Sequence, residues 1–251
     1  MKHQLNLFFH ALQFYSRIPV GKIDYSEENL TQSLRFFPLV GIIVGAVGAI
    51  IFILSNLVFP QSVSVVATII SMVAITGALH EDGVSDFFDG FGGGYTKERI
   101  LEIMKDSYVG AYGVIALIFL FLAKFALLLS IETAQLPVAL IAAHASSRFM
   151  AVLLVKSSTY ARMEQSKSSH SRNPLSHTTF ITALVLSALP LFLVSWVVAV
   201  SAIVVYLIIF FALKRYVDKK IGGFTGDILG TMQQFCEIAF YATYVGVIAY
   251  I

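Results

Sequence analysis

A single cysteine, Cys236, in 251 residues leaves no partner for a disulfide and no thiolate framework for a metal. Charge is scarce as well. Asp, Glu, Lys and Arg make up 13% of the chain, against about 25% in an ordinary soluble protein. With 57% hydrophobic residues and a mean hydropathy of +0.81, there is too little polar surface to cover a water-facing globule. These shortages exclude a soluble globular enzyme, a disordered chain and a secreted disulfide scaffold. A net charge of only +2 provides no global field for nucleic acid. The chain also lacks internal repeats, low-complexity tracts and Pro/Gly-rich linkers, so residues 1–251 read as one domain. What remains is an all-α, polytopic integral membrane protein.

Hydrocarbon spans need about 20 apolar residues as helix, and such runs occur at 37–59, 62–80, 109–131, 134–155 and 232–251. The region 178–213 would be about 54 Å long as a single helix at 1.5 Å per residue. Pro190 sits near its middle, so two tight spans are expected there, making about seven. Basic residues test this count, because they collect in cytoplasmic loops. With seven spans, 15 of the 17 Lys and Arg fall on one side, and the other two, Lys124 and Arg148, lie inside spans. The N-terminus is then cytoplasmic. The opening MKHQLNLFFHALQFYSRIPVG has no cleavage site and reads as a retained amphipathic helix seated at the interface.

Seven of the 15 acidic residues lie between 81 and 106. In HEDGVSDFFDG, Asp82, Asp86 and Asp89 stand at i, i+4 and i+7, which puts three carboxylates on one helix face. Such a face repels itself unless a cation holds it, and a hard cation, Mg²⁺ or Mn²⁺, suits carboxylate oxygens completed by water and substrate phosphate. The second span is expected to run straight into this cluster, and the FGGGY stretch to offer bare amides to a phosphate. Lys97, Arg99 and Lys105 follow, as cations matched to a diphosphate or as markers of the cytoplasmic side. His80 fits a metal ligand, a general base or a helix end. Asp106, just before the third span, fits a further metal ligand or a helix border. A metal held by aspartates beside cations suggests phosphoryl transfer, and DGxxDxxDG is similar to the aspartate motif of CDP-alcohol phosphotransferases, with Ser85-Asp86 where their Ala-Arg stands.

Charges inside apolar spans are expensive and functional by default. Arg148, beside His144 and two serines, is the candidate for an anionic substrate group, and Lys124 for a structural pair with a buried carboxylate such as Glu237. In GGFTGDILG, Asp227 either caps the last helix or touches substrate. Strung through the membrane, Lys124, Arg148 and Glu237 would instead suggest a small ion-coupled transporter.

HEDGVSDFFDGF, RILEIMKDSYVGAYG and GGFTGDILG occur in that order, with FYSRIPV, RFFPLVGIIVG, SSR at 146–148 and YAR at 160–162. This ordered set, which covers essentially the whole chain, resembles the cobalamin synthase family, the adenosylcobinamide-GDP ribazoletransferases. The chain departs from the family at 163–176 and at Gln234, which stands where the family tends to have the first of two acids. The resemblance implies a Mg²⁺-dependent enzyme of the prokaryotic cell membrane with its active site in the cytoplasm. It would join adenosylcobinamide-GDP to α-ribazole or its 5′-phosphate and release GMP, late in cobalamin biosynthesis. Metal would be carried by Asp82, Asp86, Asp89 and Asp106, with His80 activating the hydroxyl, and Lys105, Arg148, Asp227 and Glu237 binding substrate. Its partners would be those substrates and the bilayer, as a monomer or an oligomer.

Overall fold

The computed structural model describes residues 2–162 and 175–250. Lys167 and Arg172, and nearly all of the divergent 163–176 stretch, lie outside them. Among the described residues the fold is helical, with one isolated parallel bridge between Tyr160 and Phe224. Eleven α-helices follow in order: α1 (Lys2–Tyr15), α2 (Glu27–Ser33), α3 (Phe37–Asn56), α4 (Gln61–Thr76), α5 (Leu79–Gly93), α6 (Lys97–Ile103), α7 (Ala111–Ser130), α8 (Leu136–Ser157), α9 (His177–Ala188), α10 (Trp196–Ile221) and α11 (Gly226–Ile248).

Four helical stretches are long and apolar enough to cross a membrane: 27–56 (through α2 and α3), α7, α8 and α10. A fifth crossing results if α4 and α5, bent by 87°, count as one broken span. The expected break in 178–213 is present. There α9 ends in a 3₁₀ turn over Leu189–Leu193 that contains Pro190, and α10 starts afresh at Trp196. The last helix, α11, is 23 residues long, about 34 Å at 1.5 Å per residue. Its buried Gln233, Gln234 and Glu237 make it the polar axis of the bundle rather than an apolar span.

Burial separates the core helices from the lipid-facing ones. In α8, Ala139, Ala142, Ala143 and Ala145 are buried, and these small side chains let neighbours approach closely. On α3 a Cβ at Gly41 would collide with the His144 carbonyl. By contrast, α7 and α10 expose Ile115, Ile118, Phe119, Ile203, Leu207 and Phe211, a band suited to lipid.

The second expected span does not run straight into the acidic cluster. α4 stops at Thr76 in a Schellman end, with Gly77 N–H bonded to the Ala74 carbonyl and Ala78 N–H to that of Val73. Gly77 has φ +66° and Ala78 φ +58°, so the chain reverses its helical sense for two residues and restarts as α5. That helix carries His80, Glu81, Asp82, Asp86 and Asp89 and continues through Gly93. The glycines of FGGGY are therefore largely helical, and most of their amides are not offered to a ligand.

Candidate active site

The site forms where α5 crosses the start of α11. A Cβ at Gly83 would lie 2.6 Å from the Asp227 carbonyl oxygen, so only glycine permits this approach. Thr231 fastens the crossing by donating its hydroxyl to the Gly83 carbonyl at 3.0 Å. On the open side of α5, Asp82 is exposed and Asp86 half-buried, and Asp227 joins them from the first turn of α11. Thr225, not Asp227, caps α11: its hydroxyl oxygen accepts from Ile228 N–H. The same hydroxyl donates to Asp227 Oδ2 at 3.1 Å, leaving this carboxylate aimed toward the site.

Among the described residues one cation faces the three carboxylates. The Tyr160–Phe224 bridge, with Ala161 N–H donating to the Phe224 carbonyl, lays the segment after α8 beside the start of α11. It delivers Arg162, whose Nη2 donates to Asp227 Oδ2 at 3.2 Å. Arg162 is the site residue that sequence reasoning missed as a ligand; the YAR motif was its signal. Its single charge does not balance the cluster. Burial first, then Asp227 and Asp82, push the Asp86 carboxyl up to about 7, with Arg162 pulling the other way.

Asp89 shares the helix face but not the role. Its carboxylate accepts from Gly110 N–H at 2.7 Å and Gly113 N–H at 2.9 Å, capping the start of α7. Asp106 accepts from Tyr108 N–H at 3.2 Å and lies beyond α6. With Lys105, Lys97 and Arg162 it lines a polar cavity of about 740 Å³. A second cavity, about 220 Å³, opens on the other side of the carboxylates. Its walls are largely aromatic and aliphatic, with His80, Asp82 and Asp227 on its rim and sides. The buried His80 packs 5.7 Å from the Phe37 ring, and its Nε2 has no hydrogen-bond partner among the described residues.

Arg148 and Glu237 are placed apart from both cavities, inside the bundle. Lys124 Nζ lies 2.9 Å from Glu237 Oε1, the pairing the sequence suggests, and 3.7 Å from Glu81 Oε1. Gln233 donates to Glu237 Oε2 at 2.7 Å, and His144 Nε2 lies 3.5 Å from Oε1. Arg148 Nη1 donates to the His144 carbonyl and to its Nδ1, both at 2.9 Å, which leaves the imidazole proton on Nε2, facing Glu237. Gln234, the departure noted above, donates to Glu81 Oε1 at 3.1 Å. These charges form one buried cluster rather than a path strung through the membrane, with Glu81 Oε2 and Arg148 Nε and Nη2 lacking a hydrogen-bond partner among the described residues.

Among the described residues no three His, Cys, Asp or Glu side chains gather closely enough to hold a metal unaided. Mg²⁺ rarely uses such a cage: it takes one or two carboxylates and completes its shell with water and substrate phosphate. The surplus of negative charge that raises Asp86 fits that demand, with Asp82, Asp86 and Asp227 as the donor set.

The chain matches the cobalamin-5-phosphate synthase family over residues 7–245. An adenosylcobinamide-GDP ribazoletransferase of Vibrio parahaemolyticus is 40% identical over 248 residues, 97% of this chain and 93% of that protein. Proteins of the same name from Shewanella amazonensis and Ralstonia nicotianae are each 41% identical, over 96% and 91% of this chain and 95% and 90% of their own length. No solved structure matches it. With one family spanning nearly every element described, from α1 to α11, the chain belongs to the cobalamin-5-phosphate synthase family.

Proposed function

We propose that this chain is a Mg²⁺-dependent adenosylcobinamide-GDP ribazoletransferase of the prokaryotic cell membrane, with its N-terminus and active site in the cytoplasm. The observation that carries the reading is the undercompensated carboxylate group of Asp82, Asp86 and Asp227, which borders an apolar cavity and is joined through Arg162 to a polar one. Phosphoryl transfer needs little covalent chemistry from the protein; positioning and charge neutralisation do most of it. Lys97, Lys105 and Arg162 line the larger cavity beside Glu98, Glu102 and Asp106, and these three cations neutralise the diphosphate of adenosylcobinamide-GDP and the phosphate that departs with GMP. A ribose hydroxyl of α-ribazole, or of its 5′-phosphate, enters from the other side. Its oxygen bonds to the phosphorus on the cobinamide side, the bridging P–O bond breaks, and the electron pair leaves with GMP. The hydroxyl proton passes to Nε2 of His80, the unpartnered nitrogen on the wall of the smaller cavity. Asp82, Asp86 and Asp227 are the residues that would hold Mg²⁺, which would supply Lewis-acid polarisation of the phosphate oxygens.

The orientation rests on charge. The basic loops and this site share one side of the seven-span reading, the side that collects Lys and Arg in the cytoplasm.

The test uses purified protein in nanodiscs with Mg²⁺, adenosylcobinamide-GDP and α-ribazole, following GMP release and cobalamin formation. Product that requires both substrates and Mg²⁺ is the expected outcome. Absence of product from monodisperse protein rejects the reading, and turnover unaffected by a chelator rejects the metal.

A further inference from the structure

Two cavities of different lining flank the Arg162–Asp227 bond, Arg162 on the wall of the larger and Asp227 on that of the smaller. The larger is polar and of mixed charge, with Lys97, Lys105 and Arg162 beside Glu98, Glu102 and Asp106. The smaller has no Lys or Arg among its lining residues; Tyr15, Phe37, Tyr160 and Phe224 form much of its wall, with Ala151, Val155 and Leu229 between them. Asp82 and Asp227 stand on the smaller one, and the Asp227–Arg162 bond reaches across to the larger. Among the described residues the smaller cavity offers a diphosphate two carboxylates and no cation, whereas the larger sets three cations beside its three acids. A flat, uncharged heterocycle finds there the aromatic faces it stacks on and loses little by leaving water.

One buried group marks the cavity as a binding site rather than a packing defect. His80 is only 4% exposed, and its Nε2 has no partner among the described residues. A buried nitrogen left unpaired costs about 1–3 kcal/mol, a cost that a ligand's hydroxyl relieves.

Resting on the function proposed above, we propose that this aromatic-walled cavity between α1, α3, α5, α8 and α11 receives the benzimidazole base of the acceptor nucleoside, dividing the site into an apolar acceptor half and a polar donor half. The base enters the cavity, the ribose lies beside His80, and the hydroxyl emerges at Asp82 and Asp227 to face the diphosphate. Acceptor selection then depends on the aromatic walls and donor selection on Lys97 and Lys105.

Two substitutions fill the cavity without touching the reacting groups. Ala151 is a buried lining residue of α8, and Ala151→Leu extends into the space. Gly226 also lines the cavity, and a Cβ there meets no atom within 4 Å, so Gly226→Leu grows into open space and leaves the fold undisturbed. Binding of radiolabelled α-ribazole and, separately, of adenosylcobinamide-GDP to nanodisc protein reads the effect without turnover. Both variants are expected to weaken α-ribazole binding at least about tenfold while donor binding stays within about twofold. Free benzimidazole is expected to compete with α-ribazole for the wild-type protein and not with the donor. Equal weakening of both substrates overturns the division. Unchanged α-ribazole binding in Gly226→Leu overturns the cavity assignment and leaves a lipid chain as its occupant. Wild-type protein that binds both substrates but releases no GMP fails the proposed reaction instead, leaving the cavity result standing.

Discussion

The molecule holds two groups of charges whose acids are carried by the same two helices, α5 and α11. Inside the bundle, Glu237 and Glu81 face Lys124, with Arg148, His144 and Gln233 completing the contacts. Two acids and two permanent cations balance in charge there, with Lys124 between the acids and Arg148 bonded to His144, while Arg148 Nε and Nη2 and Glu81 Oε2 have no hydrogen-bond partner among the described residues. At its open end, Asp82, Asp86 and Asp227 have Arg162 alone as their cation among the described residues, and Asp86 holds its proton to about pH 7. Charge balance separates structural cost from chemical use. A buried ion pair compensates its own desolvation and has little left for a ligand; a carboxylate group in surplus is unfavourable until a cation arrives. The same comparison separates Asp89 from its helix mates, since the α7 amides already take up its charge.

The largest expected effect breaks the open group. Asp82→Ala and Asp86→Ala each lower kcat by on the order of 10³-fold or more, with thermal unfolding in detergent unchanged because neither side chain supports the fold. Full activity in either variant removes it from the metal-binding set. The converse holds inside the bundle. Lys124→Met leaves Glu237 unpaired and is expected to destabilise the protein by about 3–5 kcal/mol, read as an unfolding shift, whereas Lys124→Met with Glu237→Gln recovers most of the loss. A single variant as stable as wild type would show that Gln233, His144 and Tyr241 hold the Glu237 charge on their own.

Asp89 offers an intermediate case. Asp89→Ala strands the Gly110 and Gly113 amides, for an expected loss of about 1–3 kcal/mol, while the Mg²⁺ affinity of the folded protein is unaltered. A Mg²⁺ affinity that falls as it does in Asp86→Ala would return Asp89 to the metal set.

These contrasts were unevenly legible in the sequence. The spacing of Asp82 and Asp86 at i and i+4 put them on one face, and the structure keeps them there. The Lys124–Glu237 pair was legible because few charges lie in apolar runs and each needs a partner. Glu81 is next to Asp82 in sequence, yet one helical step of about 100° turns it from the open face toward α7 and α11. Asp89 obeys the face rule and is still diverted, because α7 begins directly against it. The α4–α5 break was half-visible in Gly77, but the left-handed Ala78 has no sequence signature. Arg162 reaches Asp227 through a single bridge between Tyr160 and Phe224, a long-range pairing that no local periodicity encodes.

The smallest effect is also the sharpest probe of the imbalance, because it uses protons instead of substitutions. Below pH 7 the Asp86 carboxyl is largely protonated, and a neutral acid is a poor ligand for Mg²⁺. Raising the pH through 7 removes that proton, so apparent Mg²⁺ affinity rises with pH, by up to about tenfold per unit below the titration and little above it. The fold responds with the opposite sign when metal is absent. Between the ordinary carboxylate range and pH 7 the native chain holds a proton that the unfolded chain has released, so stability falls as pH rises through that window. Mg²⁺ cancels that loss by favouring the carboxylate. Calorimetry in two buffers of different ionisation enthalpy should therefore find a proton released on Mg²⁺ binding at pH 6 and almost none at pH 8. Asp86→Asn abolishes the release at pH 6; release that persists in this variant would move the surplus charge, and the metal with it, to Asp227 or Asp82.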